Sequence, residues 1–497
     1  MSTIFRNARL GNDVLDVLVE DGVIAEIGAA VDCTAEEVHL DGRWLIPGLW
    51  DNHVHFSQWS MVQQWLDLSA AQSAAGAAAL VAAALPGQTM LPGQTMLPEP
   101  PMLPEPVEGP LIGFGFRDGL WPDAPNTALL DRAAGRLPVV LVSADLHAVW
   151  LNTAALERYG HAGHPTGLLK EDDAFEVTRR INTVADATLD RWAMSAGERA
   201  AARGVVGVID LEMQWNLESW TRRTATGFDS LRVDFGIYTQ HLDRAIGLGL
   251  RTGRAINELV TVGMYKVLTD GSLNTRTAFC HDEYPGLEGQ KDSRGLQTVP
   301  PVQLLPLMRR ASEAGIIPDV HAIGDRANTL ALDAFQELGI GGRIEHAQLL
   351  SDTDFDRFAA LGVVASVQPE HAMDDRDVAD RYWAGKTGRS FALKSLLDAG
   401  AELSLGSDAP VAPLDPWVTM SAAVGRARDG RDAWHPEQAI GVDAALAAST
   451  RTRIAVGEVA DLAVVERDPF TSTPDELRSM PVAATVLGGR FTHRSLT

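Results

Sequence analysis

Cysteine is nearly absent: the chain has two in 497 residues, Cys33 and Cys280. Such a pair suggests no disulfide framework and lacks metal-ligand spacing. Long apolar runs are missing as well. No stretch reaches the roughly 18 uninterrupted apolar residues that a membrane-spanning helix needs. The opening MSTIFRNARLGND holds no apolar run fit for a secretory signal, so the expected location is cytoplasmic. Positive charge is scarce. Lys and Arg total 42 against 66 Asp and Glu, a formal net charge of −24. A surface that acidic disfavours nucleic acid and anionic membranes. It says nothing about substrate, and a homo-oligomer is possible. Phosphate-cradling glycine loops are absent too, since neither GxGxxG nor GxxxxGK[ST] occurs.

Apolar residues are abundant at 45%, enough for a sizeable core, and the length exceeds one ordinary compact domain. Near the N-terminus Asp16–Glu20 and Val23–Ile27 flank Asp21-Gly22, a hairpin signal because both turn positions favour φ > 0. Strand-like segments recur at 460–465 and 483–487. The two ends, 1–45 and 450–497, are therefore expected to form one small composite β-domain. Between them strand-like and helix-like segments alternate, which favours a parallel α/β architecture. Eight strand candidates lie near 46–53, 205–210, 232–238, 262–268, 317–322, 343–347, 363–368 and 402–407. Eight is the number a TIM (β/α)8 barrel requires, here over 46–449. The interval 57–200 is too long for one crossover and reads as an inserted subdomain, with strands near 111–116 and 138–143. It contains a low-complexity tract, 85–110, where LPGQTM occurs twice before LPEPPM and LPEPVEGP. Proline at that density precludes a helix.

The residues that carry chemistry fall at expected strand ends. In Asp51-Asn52-His53-Val54-His55, His53 and His55 stand at i and i+2 and face the same way on a strand. A lone HxH is a weak signal. Lys266 sits in MYKVL, where burial is costly unless the amine is paired or modified, although a strand edge would leave it at the surface. His321 closes IPDVH and His346 closes RIEH; each alone could be a hydrogen-bonded core histidine. Asp408 closes LSLGSD and could be a helix N-cap. Together they occupy the ends of strands 1, 4, 5, 6 and 8, where barrel active sites gather. Imidazole and carboxylate suit Zn²⁺ or a similar divalent ion.

The stretches PGLWDNHVHF, YKVLTDGSLNTRTA, VHAIGDRAN, RIEHAQ, LGSDAP and GEVADLAVVERDP, in this order, resemble the amidohydrolase superfamily, and in particular its YtcJ-like branch. That resemblance implies a barrel with a small β-domain built from both ends. It implies that His53, His55 and Asp408 hold one metal ion and His321 and His346 a second. Lys266, carboxylated by CO₂, would bridge them. One or two ions are expected. Attack of a metal-activated water on a carbonyl carbon follows, with Asp408 accepting the water's proton and returning it to the leaving nitrogen. The expected substrate is a small, hydrophobic N-substituted amide. A cyclic amide, an aminated ring or an ester could react at the same centre, and an inactive scaffold is the alternative of another class.

Relatives of this kind typically read Asp-Gly-His where this chain has Asp145-Leu146-His147. His147 is thus a candidate substrate contact, on a backbone altered by Leu146. Arg276 is a further candidate, for an anionic or carbonyl group. Trp59 and Trp150 could wall an apolar pocket or lie in the core of the insert.

Overall fold

Apolar runs such as Val205–Asp210 and Val363–Val367 are buried along most or all of their length, as parallel strands covered on both faces must be. The computed structural model, which describes residues 2–85, 109–170 and 172–496, places eight such strands side by side. They are β1 (Leu49–Val54), β2 (Val205–Asp210), β3 (Arg232–Tyr238), β4 (Val260–Leu268), β5 (Pro318–Ala322), β6 (Gly342–His346), β7 (Val363–Val367) and β8 (Leu403–Leu405). Each pairs in parallel with the next. The circuit returns to β1 through a parallel bridge between Val54 and Ala409. There the His55 N–H donates to Ala409 O at 2.7 Å and the Asp408 N–H to His53 O at 2.7 Å. The fold is a TIM barrel, and its strands lie close to the eight expected.

One expected strand is divided. The run 46–53 breaks at Pro47-Gly48: Trp44–Pro47 pairs with Leu462–Val465 in a different sheet, and only Leu49–Val54 enters the barrel. Pro47 has no N–H for a ladder. At Gly48 an added Cβ would come within 2.4 Å of Val206 Cγ1, so the chain crosses into the barrel at the residue without a side chain.

That other sheet joins both ends of the chain. Ser2–Leu10, Asp13–Glu20, Val23–Gly28, Glu36–His39 and Trp44–Pro47 share it with Leu462–Val465, Val482–Leu487 and Arg490–Arg494. Asp21 and Gly22 both have positive φ, 48° and 83°, as the hairpin signal requires. Phe5, Val17, Leu45, Leu462, Val464 and Val486 form its core. Arg232 of β3 reaches Asp461 at 2.7 Å and ties sheet to barrel.

The chain divides into two compact units, Met1–Ser57 with Asp190–Thr497, and Gln58–Leu189. The second unit has its own five-stranded sheet, in the order Leu66–Asp67, Leu111–Phe116, Val139–Ser143, Ala148–Leu151, Leu168–Lys170. Of the low-complexity tract 85–110, residues 86–108 lie outside the described residues. Among the described residues, no helix is long and apolar enough to cross a membrane.

Candidate metal centre

The C-terminal ends of the barrel strands carry the expected residues. His53 lies in β1 and His55 just beyond it, Lys266 in β4, His321 in β5, His346 at the end of β6, and Asp408 three residues after β8. Two backbone devices aim them. At Gly406 an added Cβ would meet His53 N at 2.7 Å, so the exit from β8 can press against β1. That approach brings Asp408 Oδ1 to 3.2 Å from His53 Nε2 and 3.3 Å from His55 Nε2. On β6 strict alternation would turn His346 away from the face used by Glu345. Instead His346 and Ala347 take φ of 75° and 42°, and Asp408 takes 58°. Left-handed backbone at non-glycine residues is costly, of order 1–3 kcal/mol each, and concentrates at functional sites.

Several nitrogens in this region are buried without a hydrogen bond: Lys266 Nζ, His321 Nε2, which lies 3.5 Å from Asp270 Oδ1, His346 Nδ1 and the Nε2 of His371. Burying a polar group unpaired is expensive, so such a cluster calls for a ligand. Lys266 Nζ stands 3.9 Å from Asp319 Oδ2, beyond hydrogen-bond range, with both side chains almost fully buried. His53 adds a second sign. Its Nδ1 faces the Glu345 carboxylate at 2.5 Å, which leaves Nε2 as an unprotonated acceptor pointing at another acceptor, Asp408 Oδ1. A cation between them reconciles that pair. Among the described residues, two groups have donors close enough for one ion, His53 with His55 and Asp408, and His346 with His371 and Asp408. Imidazole nitrogens with a carboxylate are a fitting donor set for Zn²⁺ or a similar ion.

The electrostatics keep His53, His321, His346 and Asp408 unprotonated. Burial, helped by Lys266, pushes His321 down to about 3. Burial and the neighbouring His321 hold His346 well below its ordinary value, and burial also lowers His53. Burial works against ionised Asp408, but His53, His55 and His346 around it hold its carboxyl well below the usual range. His55 alone of the expected histidines is raised: burial opposes its charged form, yet the hydrogen bond and charge of Asp408 prevail.

A buried network supports His53. Glu345 takes Arg343 Nε on its other oxygen and the Gln368 amide at 3.3 Å. Arg343 continues to Asn52 O at 2.7 Å and to Ser366 Oγ. Burial alone would raise Glu345, but Arg343 and His53 hold it well below the usual carboxylate range. Asp319, by contrast, is pushed up to about 7 by burial and by the Glu345 charge.

The sequence pattern of the amidohydrolase family matches residues 36–493. The chain belongs to the amidohydrolase family. Three curated relatives align over nearly its whole length. Protein LONG AFTER FAR-RED 3 of Arabidopsis thaliana is 27% identical, covering 95% of this chain and 86% of its own. The putative amidohydrolase YtcJ of Bacillus subtilis is 26% identical, over 96% and 95%. The N-substituted formamide deformylase of Arthrobacter pascens is 25% identical, over 95% and 94%. An uncharacterized metal-dependent hydrolase from Pyrococcus horikoshii shares the fold, with TM-score 0.76 at 23% identity, covering 96% of this chain and 99% of that one.

In this amidohydrolase, sequence reasoning overlooked His371, Glu345 and Gln368. His371 follows β7 by four residues, in the QPEHA run, and a histidine just past a barrel strand was the available signal. His321 packs ring to ring with His346 at 4.5 Å, yet its ligand atoms join neither convergent group. Arg276 has φ of 61° and lies over the Tyr382 ring at 5.4 Å.

Three other candidates belong to the second unit. Leu146 holds φ of 65°, the region glycine occupies freely. Asp145 Oδ1 stabilises that turn, accepting from Ser143 Oγ at 2.6 Å and the His147 N–H at 3.2 Å. The His147 ring meets Phe175 edge to face at 5.4 Å. Trp150 is wholly enclosed, packing with Phe116, Val139 and Leu141 as core of that unit. Trp59 is buried as well, in the helix Phe56–Val62.

Proposed function

We propose that this amidohydrolase cleaves the C–N bond of a small, hydrophobic N-substituted amide, using Zn²⁺ or a similar divalent ion. The observation that carries the reading is the convergence of His53, His55 and Asp408, beside buried nitrogens of Lys266, His321 and His346 that make no hydrogen bond. The ion supplies Lewis acidity and brings the pKa of water toward neutrality. His53 and His55 would hold the first ion with Asp408, and His346, with His321 packed ring to ring against it, would serve the second.

Asp408 moves the proton. Its Oδ1 is engaged by His53 and His55, while Oδ2 stands free of them and 3.8 Å from His371 Nε2. Asp408 is the group that takes the proton of the attacking water and gives it to the leaving nitrogen. Loss of one proton from the Lys266 ammonium and of a second on addition of CO₂ to the resulting amine would replace a buried cation by an anionic carbamate, whose oxygens would be available to the metal. Arg276 is the proposed holder of a carbonyl or anionic group of the substrate. The choice of an amide rather than an ester is supported by the relative whose name states that it deformylates N-substituted formamides.

The test is a screen of metal-loaded protein against N-formyl, N-acyl and cyclic amides and matched esters. Turnover of N-substituted amides ahead of esters supports the reading. Turnover of esters alone refutes the amide assignment.

A further inference from the structure

Among the described residues outside the expected ligands, His371 is a buried imidazole beside the candidate site without a role. His371 lies in the first turn of the helix Pro369–Tyr382, which follows β7. It is 7% exposed, and its Nε2 has no hydrogen-bond partner. Nε2 points at Asp408 Oδ2, 3.8 Å away, on the carboxylate oxygen that His53 and His55 do not use. Its ring is nearly parallel to that of His346, at 5.9 Å and 20°.

The turn carrying His371 is held firmly. Pro369 starts the helix, where its missing N–H costs nothing. Glu370, 3% exposed, is gripped by Arg428 at 2.7 Å and by Arg478 at 2.7 and 3.0 Å. Gln368 reaches Nδ1 of His53 at 3.2 Å. Within four residues the segment thus touches a histidine of the first group, anchors itself through Glu370, and presents an imidazole to the second.

We infer that His371 is a ligand of the second metal ion, completing with His346 and Asp408 Oδ2 a centre on the side of Asp408 away from His53 and His55. This rests on the metal-dependent reading above and deepens it. The distances suit the assignment. Donors each 2.0–2.1 Å from a tetrahedral ion lie about 3.4 Å apart. The 3.2 and 3.3 Å spacings at Oδ1 match that figure, and the 3.8 Å spacing at Oδ2 is a few tenths of an ångström longer. A lone histidine hydrogen-bonded to Asp408 would need Nε2 nearer than 3.5 Å. The donor set of imidazoles with one carboxylate is that of a zinc centre.

The test is metal binding by the full chain, stripped and titrated with Zn²⁺, for the parent, His371→Ala and His371→Asn. Circular dichroism and the melting temperature of the metal-free proteins establish that the variants fold, and the Asn variant guards against a packing defect in the Ala one. The parent is expected to bind two equivalents. Both variants should keep the first with unchanged affinity and bind the second at least about a hundredfold more weakly. A second equivalent bound by both folded variants within about twofold of the parent overturns the inference and leaves the metal-dependent reading intact. Loss of the first ion with the second retained also overturns it. A parent that binds no Zn²⁺ overturns both.

Discussion

Nδ1 of His53 lies 2.5 Å from Oε2 of Glu345, a carboxylate with no solvent exposure, and that contact determines that Nε2 faces Asp408. A carboxylate behind a ligating histidine fixes the tautomer and ring orientation and raises basicity at the ligand nitrogen.

Glu345→Gln keeps the shape and removes the charge. The first ion should then bind about 10–100-fold more weakly, the usual cost of losing such a partner. Zn²⁺ competition with a chromophoric chelator measures this. Unchanged affinity would make Glu345 merely the counter-ion of Arg343.

Lys266→Ala should abolish turnover of whichever amide the parent cleaves, with partial rescue by a short carboxylic acid able to supply the missing oxygens. The unpartnered Nζ, 3.9 Å from Asp319, motivates the experiment. Normal turnover by the variant would mark Lys266 as a bystander.

Asp408→Asn retains size and loses basicity. With proton transfer passing through Asp408, kcat should fall by at least about two decades. Metal content must be measured in the same preparation. A smaller fall with both ions retained would reduce Asp408 to a ligand.

Metal binding should weaken in acid, and the sign follows from His55. His55 is raised above 6.5, whereas His53, His321 and His346 are lowered and already neutral near pH 7. Below its pKa His55 is protonated, and the ion must displace that proton. Affinity should therefore fall as pH drops through a midpoint above 6.5 and level off at higher pH. Calorimetric titration from about pH 9 to about pH 6 checks this, and a flat profile would remove His55 from the ligand set.

The barrel was legible because its strands are buried on both faces and read as short apolar runs, as at Val205–Asp210 and Val363–Val367. His53, His55, Lys266, His321, His346 and Asp408 could be singled out as candidates because each stands near the end of such a run or just past it. What escaped depends on contacts distant in sequence. Glu345 matters through His53, 292 residues away, and no local pattern announces that pairing. His371 lies on a helix turn rather than a strand, outside the places searched by strand logic. His346 faces the site through a left-handed φ that no periodicity encodes. The short strands Ala148–Leu151 and Leu168–Lys170 are too brief for an alternation signal.

The central claim is that the barrel end holds catalytic metal. Its most direct test is elemental analysis of purified protein joined to turnover of an N-substituted amide, before chelation, after chelation and after addition of Zn²⁺. The account predicts one to two equivalents of divalent metal, loss of activity with the metal, and recovery on reloading. Full activity in protein shown to be metal-free would contradict it.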